Sequence, residues 1–244
     1  MNGRVTLATA GRILQQLRHD RRTVALLVVM PTLLMVLLRY VFDDQRMFDR
    51  IGPMLLGVFP LVVMFVVTSV ATLRERAGGT LERLMTTPLG KLDLLLGYAL
   101  AFAVAALVQV AVILAVSLLL LGLDVTGPLW GLILVAVLVA LLGVALGLLA
   151  SAFARTEFQV VQLMPALILP QFLLCGLFAP RDSMQAVLSA ASDVMPLSYA
   201  VDAMQKLTAS GGFGSDLAVD VAVIVGFTVL SLILGAATLP RRTP

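Results

Sequence analysis

The sequence predicts an all-α integral membrane protein with six transmembrane helices. Three observations predict it. The chain is 60% hydrophobic with a mean hydropathy of +1.05, where soluble domains sit near about 45–50% apolar. Only 13% of its residues are charged, about half the soluble norm. The apolar residues also gather into six runs, each near the ~20 residues that span a bilayer. No polar stretch reaches the roughly 50 residues of a small ordinary domain, so no separate soluble domain is expected.

The net charge of +3 and pI near 9.5 do not point to nucleic acid. Most basic residues flank apolar runs, where topology and membrane lipid explain them. A single cysteine, Cys175, excludes an internal disulfide, and with a single histidine, His19, it excludes zinc sites of the usual His/Cys types. No metal site is expected.

Residues 1–23 read as an amphipathic elbow helix on the cytoplasmic side. Leu7, Ala10, Leu14 and Leu17 recur at helical spacing with Ile13 beside them, surrounded by Arg4, Arg12, Arg18, Arg21 and Arg22. A basic amphipathic helix ahead of a span lies in the interface. The long first run has no small-x-small exit, so a cleavable signal is not expected. Residues 24–240 form the transmembrane domain, with spans at about 24–42, 51–73, 94–121, 129–153, 160–178 and 221–239.

The 179–220 segment is more than a loop. Residues 184–191 and 199–207 each read as short, half-apolar helices separated by Pro196, with Ser183 as the expected cap of the first. The expectation is a re-entrant helical hairpin at the outer leaflet.

Topology follows from the basic residues. With both termini inside, the inner face carries twelve, namely Arg4, Arg12, Arg18, Arg21, Arg22, Arg74, Arg76, Arg83, Lys91, Arg155, Arg241 and Arg242. The outer face carries five, namely Arg39, Arg46, Arg50, Arg181 and Lys206. The excess places both termini and the 74–92 segment in the cytoplasm.

Within these spans the only ionisable residue is Arg39, near an outer end where it can snorkel. Ion-driven carriers use buried acidic, histidine or unwound ion sites, and an intramembrane hydrolase needs a base at depth. The composition argues against both. The neutral polar residues Thr68, Ser69, Thr72, Gln109, Ser117, Ser151, Gln162 and Gln171 are expected mainly in interhelical hydrogen bonds, the alternative being a substrate path. Gly143, Gly147 and Ser151 form a small-xxx-small ladder on the fourth span, a pattern that favours close helix packing. Pro53 and Pro60 in the second span, and Pro165 and Pro170 in the fifth, predict bends.

The polar interruption at 74–92 is the most organised on the inner face. Gly78 and Gly79 end the extension of the second span, Thr80 is a good N-cap, Glu82 suits the first-turn dipole, and Pro88 stops the helix with Thr87 biased to extended. Leu81, Leu84 and Met85 form a small apolar face. The expectation is a rigid helix of two turns, either docking in a groove of a cytoplasmic partner or lying as a solvated loop.

The run RERAGGTLERLMTTPLGKLDLLLGYAL resembles the signature between the second and third spans of ABC-2 type transporter membrane subunits, the type V exporter permeases. Their daunorubicin/doxorubicin-resistance-like branch is the nearest in pattern. LLCGLFAPRDSM followed by MPLSYAVDAMQKL resembles that family's outer segment, with Cys175 where serine is frequent and Met195 where asparagine is frequent.

The resemblance implies the permease subunit of an ATP-driven exporter, located in the bacterial inner membrane. It implies a coupling helix that seats in a separate ATP-binding subunit, through Arg74, Glu75, Gly79, Thr80, Glu82, Arg83, Thr87 and Pro88. It implies a second permease copy or paralogue completing the pore, a pathway lined by Phe65, Thr68, Thr72, Gln162 and Gln171, and an outer hairpin marked by Pro196, Tyr199 and Asp202. The expected cargo is an amphipathic drug, antibiotic or lipid-like compound; the alternatives are a glycan or lipid-linked substrate, a secondary multidrug carrier, or a membrane scaffold without transport. The chain itself binds no cofactor in this reading, with ATP and magnesium on the partner. Its one Gly-Lys pair, Gly90-Lys91, is followed by Leu92 and has Met85 where a P-loop needs glycine.

Overall fold

The computed structural model describes residues 3–78, 91–125, 127–154, 156–210 and 214–238. Six of its helices are long and apolar enough to cross a membrane. In chain order the described helices are α1 (Gly3–His19), α2 (Arg21–Phe42), α3 (Gln45–Ala77), α4 (Lys91–Leu119), α5 (Leu129–Phe153), α6 (Glu157–Leu174), α7 (Ala186–Asp193), α8 (Pro196–Ser210) and α9 (Ser215–Thr238). The spans are α2 to α6 and α9. The end of the bundle that carries α1 and the root of the 74–92 segment is called proximal here, and the opposite end distal. Residues 79–90 lie outside the described residues, and with them the proposed helix and its Gly79, Thr80, Glu82, Arg83, Thr87 and Pro88.

The organising pair is α3 against α5, which pack on each other more extensively than any other two helices. Glycine explains why they approach so closely. A Cβ at Gly143 would lie 2.4 Å from the Leu61 carbonyl oxygen, and one at Gly147 would lie 2.6 Å from that of Phe65. The small-residue ladder therefore faces α3, with Ser151 buried one turn on. Its hydroxyl donates to Leu148 O at 2.7 Å. α3 and α5 supply most of the core, including Leu56, Leu61, Met64, Phe65, Leu132, Val139 and Leu142. Much of α2, α6 and α9 faces outward. α3 runs unbroken through Pro53 and Pro60, and α6 through Pro165 and Pro170.

Several boundaries differ from the sequence reading. The elbow and the first span are two helices parted at Asp20. The face of α1 that packs is Thr6, Thr9, Ala10 and Ile13, whereas Leu7 is exposed. That face rests on α4, where Gly97 gives it room: a Cβ there would meet Thr9 at 2.8 Å. The fifth span stops at Leu174, because Gly176 takes a left-handed φ of 90° just after the Cys175 cap. The last span starts at Ser215 rather than 221, so Asp220 is in the helix and buried. Asp93 is likewise inside α4 and buried. Arg39 is thus not alone among charges in the spans; hydropathy placed these two acids outside because it cannot see the partners that compensate them.

The distal segment forms two helices, and the second of them packs into the bundle. Leu197, Ala200, Val201, Ala203, Met204 and Leu207 of α8 are buried, against α3, α9 and α5. Pro196 is the first residue of α8, where its missing N–H costs nothing. Ser183 does not cap α7. It closes a short 3-10 turn by donating to Pro180 O at 2.6 Å, and Gln185 precedes α7 without a side-chain cap.

Candidate functional site

The residues at the root of the 74–92 segment lie in a collar of charges at the proximal end. Asp20 builds the first part. It follows α1 and caps α2, accepting from the amides of Arg22 at 3.1 Å and Thr23 at 3.3 Å and from the Thr23 hydroxyl at 2.6 Å. These hydrogen bonds, the Thr23 hydroxyl first, hold its carboxyl below the usual value despite some desolvation; the Arg74 charge adds to the effect.

From α3, two consecutive residues reach in different directions. Glu75 takes a fork from Arg12 of α1, Nη1 to Oε1 at 2.9 Å and Nη2 to Oε2 at 3.1 Å. Gln16 completes it: with its amide turned to suit both neighbours, it donates to Glu75 at 2.7 Å and accepts from Arg12 at 3.2 Å. Arg74 takes a second fork with Glu157, Nε to Oε1 at 2.8 Å and Nη2 to Oε2 at 3.0 Å, and its Nη1 lies 3.9 Å from Asp20. Glu157 stands in the first turn of α6, where the helix dipole favours an anion. Thr156 caps that helix through the Gln159 amide. Beneath the second fork, Leu73, Ala154 and Val160 form a small apolar cluster of their own.

The two forks differ in strength. Glu75 is 14% exposed and Arg12 30%, so their pair is partly desolvated. Arg74 and Glu157 are 55% and 51% exposed, and such a pair holds its helices with at most about 1 kcal/mol. Arg74 and Glu75, expected from the sequence to touch a partner, thus both have partners in their own chain. The collar ties the end of α3 to α1, to the α1–α2 junction and to the start of α6.

The hairpin residues converge on Arg181 at the distal end. Its guanidinium pairs with Asp193 and Asp202 and lies 5.5 Å above the Tyr199 ring. Tyr199 in turn donates to Asp193 O at 2.7 Å. Burial opposes the Arg181 charge, but the two carboxylates outweigh it and hold its pKa above the ordinary arginine value. Ser192 ties the hairpin to the end of α6, donating to Leu174 O at 2.8 Å. Lys206 of α8 reaches Asp220 of α9 at 2.6 Å.

The residues proposed to line a pathway do not form one surface. Phe65, Thr68 and Thr72 are buried within the subunit. Gln162 is exposed on α6, and Gln171 is half-buried. The neutral polar residues also depart from the interhelical hydrogen bonds expected. Ser69 and Gln171 donate to carbonyls of their own helices, and the side-chain polar atoms of Thr68, Thr72, Gln109 and Ser117 have no hydrogen-bond partner among the described residues. Among the described residues no group of three or more His, Cys, Asp or Glu is placed to hold a metal ion.

Arg12, Asp20, Glu157, Arg181, Lys206 and Asp220 carry these networks; from the sequence, Arg12, Arg181 and Lys206 serve only to set topology, and Asp20, Glu157 and Asp220 have no role. The available signal was weak: charges at the edges of apolar runs. Arg12 and Glu75 are 63 positions apart, and Arg74 and Glu157 are 83 apart, so pairing needs the fold.

The ABC-2 type transporter family profile matches residues 4–208. The "Probable multidrug ABC transporter permease YbhS" of Escherichia coli (strain K12) is 28% identical over 206 residues, covering 84% of this chain and 55% of the relative. "Probable multidrug ABC transporter permease YbhR" of the same organism is 26% identical, covering 64% of this chain and 42% of the relative. The "Linearmycin resistance permease protein LnrN" of Bacillus subtilis (strain 168) is 23% identical, covering 68% and 43%. The chain spans about half the length of the curated relatives it matches. With six membrane-crossing helices and a family match that runs from α1 into α8, the chain belongs to the ABC-2 type transporter family.

Proposed function

We propose that this chain is the membrane-spanning subunit of an ATP-driven exporter. It moves an amphipathic drug, antibiotic or lipid-like compound out of the cell, from a bacterial inner membrane with both termini in the cytoplasm. The family match over residues 4–208 carries the reading, and the multidrug and linearmycin-resistance names of its relatives support the cargo class. In this reading a separate ATP-binding subunit supplies the energy; the 244 residues themselves spell no P-loop. A second permease copy or a paralogue supplies the other half of the pore.

In this reading the ATPase seats on the 74–92 segment, and the collar relays its movement. Arg74 carries it to α6 through Glu157, and Glu75 carries it to α1 through Arg12. Charges in the spans lie near helix ends, and the buried Asp220 is paired with Lys206, which suits amphiphiles better than ions as cargo.

The test is co-purification with candidate ATP-binding subunits, followed by ATPase stimulation across drugs and lipids. Stimulation by amphiphiles in the complex is expected. Glu82→Lys is expected to leave the chain in the membrane and abolish export. Full ATP-dependent export by that variant defeats the docking assignment, and export without any ATPase defeats the class.

A further inference from the structure

A cavity of about 670 Å³ lies within the single subunit at the proximal end, between α1, the start of α2, the last turns of α3 and the first turns of α4. Its volume falls within the ~300–1,000 Å³ of ordinary ligand sites. Its composition is divided. Leu17, Leu26, Val66, Val70 and Phe102 make an apolar wall, while Gln16, Asp20, Arg22, Thr23, Arg74 and Glu75 supply the polar part. Because the polar set sits where the spans begin, the apolar wall runs into the hydrocarbon layer and the polar set meets the headgroup layer.

Two features say what would fill it. Tyr98 lines the cavity and is 3% exposed, yet its hydroxyl has no hydrogen-bond partner among the described residues. A buried phenol without a partner is costly and normally finds one, so a ligand with a polar atom at that depth would satisfy it. The second feature is charge. Glu75 is held by Arg12, Arg74 by Glu157, and Asp20 by the cap of α2 with Arg74 nearby. Arg22 is exposed and makes no ion pair among the described residues. Among the described residues lining the cavity, Arg22 is thus the one charged side chain with neither an ion pair nor a hydrogen bond, and it is positive.

We infer that this cavity is a binding chamber for one anionic amphiphile of drug or single-chain-lipid size. Its head group pairs with Arg22, its body lies along Leu26, Val66 and Val70, and a polar atom of the ligand bonds to the Tyr98 hydroxyl. The inference rests on the membrane location and not on the exporter reading, since the chamber needs neither ATP nor a second subunit.

Native mass spectrometry of the intact chain, released from detergent, tests it with lysophosphatidylglycerol and lysophosphatidylcholine of equal chain length. Wild type is expected to hold one lysophosphatidylglycerol and to prefer it several-fold over the zwitterion. Ala71→Trp, which fills the cavity, is expected to weaken that binding by about tenfold or more. Arg22→Gln is expected to abolish the preference between the two lipids. Tyr98→Phe removes one oxygen and keeps the packing, so it is expected to weaken binding several-fold with a melting temperature no lower than that of wild type. This variant keeps the test decisive if Ala71→Trp fails to fold. Equal binding by wild type and Tyr98→Phe, with no preference for the anion, overturns the proposal.

The source of the ligand is read from the protein before any addition. A host lipid carried by wild type and absent from Ala71→Trp marks a resident lipid; a chamber that is filled only on addition marks a ligand taken up from outside the chain's own membrane lipid. Either result supports the chamber. Loss of export with binding intact, or the reverse, separates this inference from the proposed function.

Discussion

Arg74 and Glu157 join the end of the second span to the start of the fifth through two hydrogen bonds of 2.8 and 3.0 Å. The pair is half exposed, so its contribution to stability is small, at most about 1 kcal/mol. Its value to the protein is therefore positional. Arg74→Glu is expected to leave the melting temperature nearly unchanged and, on the function proposed above, to lower export. The double variant Arg74→Glu with Glu157→Arg is expected to recover most of that loss. A double-mutant cycle on transport rate measures this, and additive losses would show that the two residues act separately.

Arg12 and Glu75 are less exposed, and the consequence differs. Glu75→Ala strands a partly buried guanidinium and frees α1 from α3. The expected cost is about 1–3 kcal/mol, read as a lower thermal midpoint in detergent. A cysteine pair spanning α1 and α3 is expected to cross-link more slowly in that variant. Cross-linking at the wild-type rate would mean that α4 alone secures α1.

Gly147 allows α3 and α5 to touch through their backbones. Gly147→Val is expected to destabilise the bundle by about 1–3 kcal/mol, because the added atoms meet main chain that cannot rotate away. The readout is the thermal midpoint with the yield of monodisperse protein. Gly226, where an added Cβ would meet nothing within 4 Å, is the control; Gly226→Ala is expected to be neutral.

Lys206 compensates Asp220, whose side chain is 5% exposed. Lys206→Met leaves that carboxylate without its lysine; because Lys206 is itself partly exposed, the expected cost is about 1–3 kcal/mol. Lys206→Met combined with Asp220→Leu is expected to restore most of the stability. Failure of the double variant to recover would assign Lys206 a role beyond neutralising Asp220.

Asp20 sets a pH dependence. Its carboxyl titrates below the ordinary value of 3.8 in the folded chain. A carboxylate with a lowered folded value adds stability above its unfolded value and loses it as pH falls through the folded one. The junction of α1 and α2 is therefore expected to loosen only below about pH 4. Amide exchange at 21–23 in acid reads this, and Asp20→Asn is expected to flatten the response because its amide titrates nowhere in that range.

The sequence by itself determined the class of this protein. Six apolar runs of bilayer length, basic residues concentrated on one face and the 74–100 motif were enough, because span length and loop charge are properties of composition and local order. Some packing was legible too. Gly143, Gly147 and Ser151 announced a close helix contact, since their spacing puts small residues on one helical face. Which helix they meet, and that Arg74 and Glu75 turn toward Glu157 and Arg12, only the tertiary structure decided. So did the burial of α8 and of Asp220. A hydropathy pattern records the cost of placing a charge in an apolar run. It does not record the partner, tens of residues away, that removes that cost.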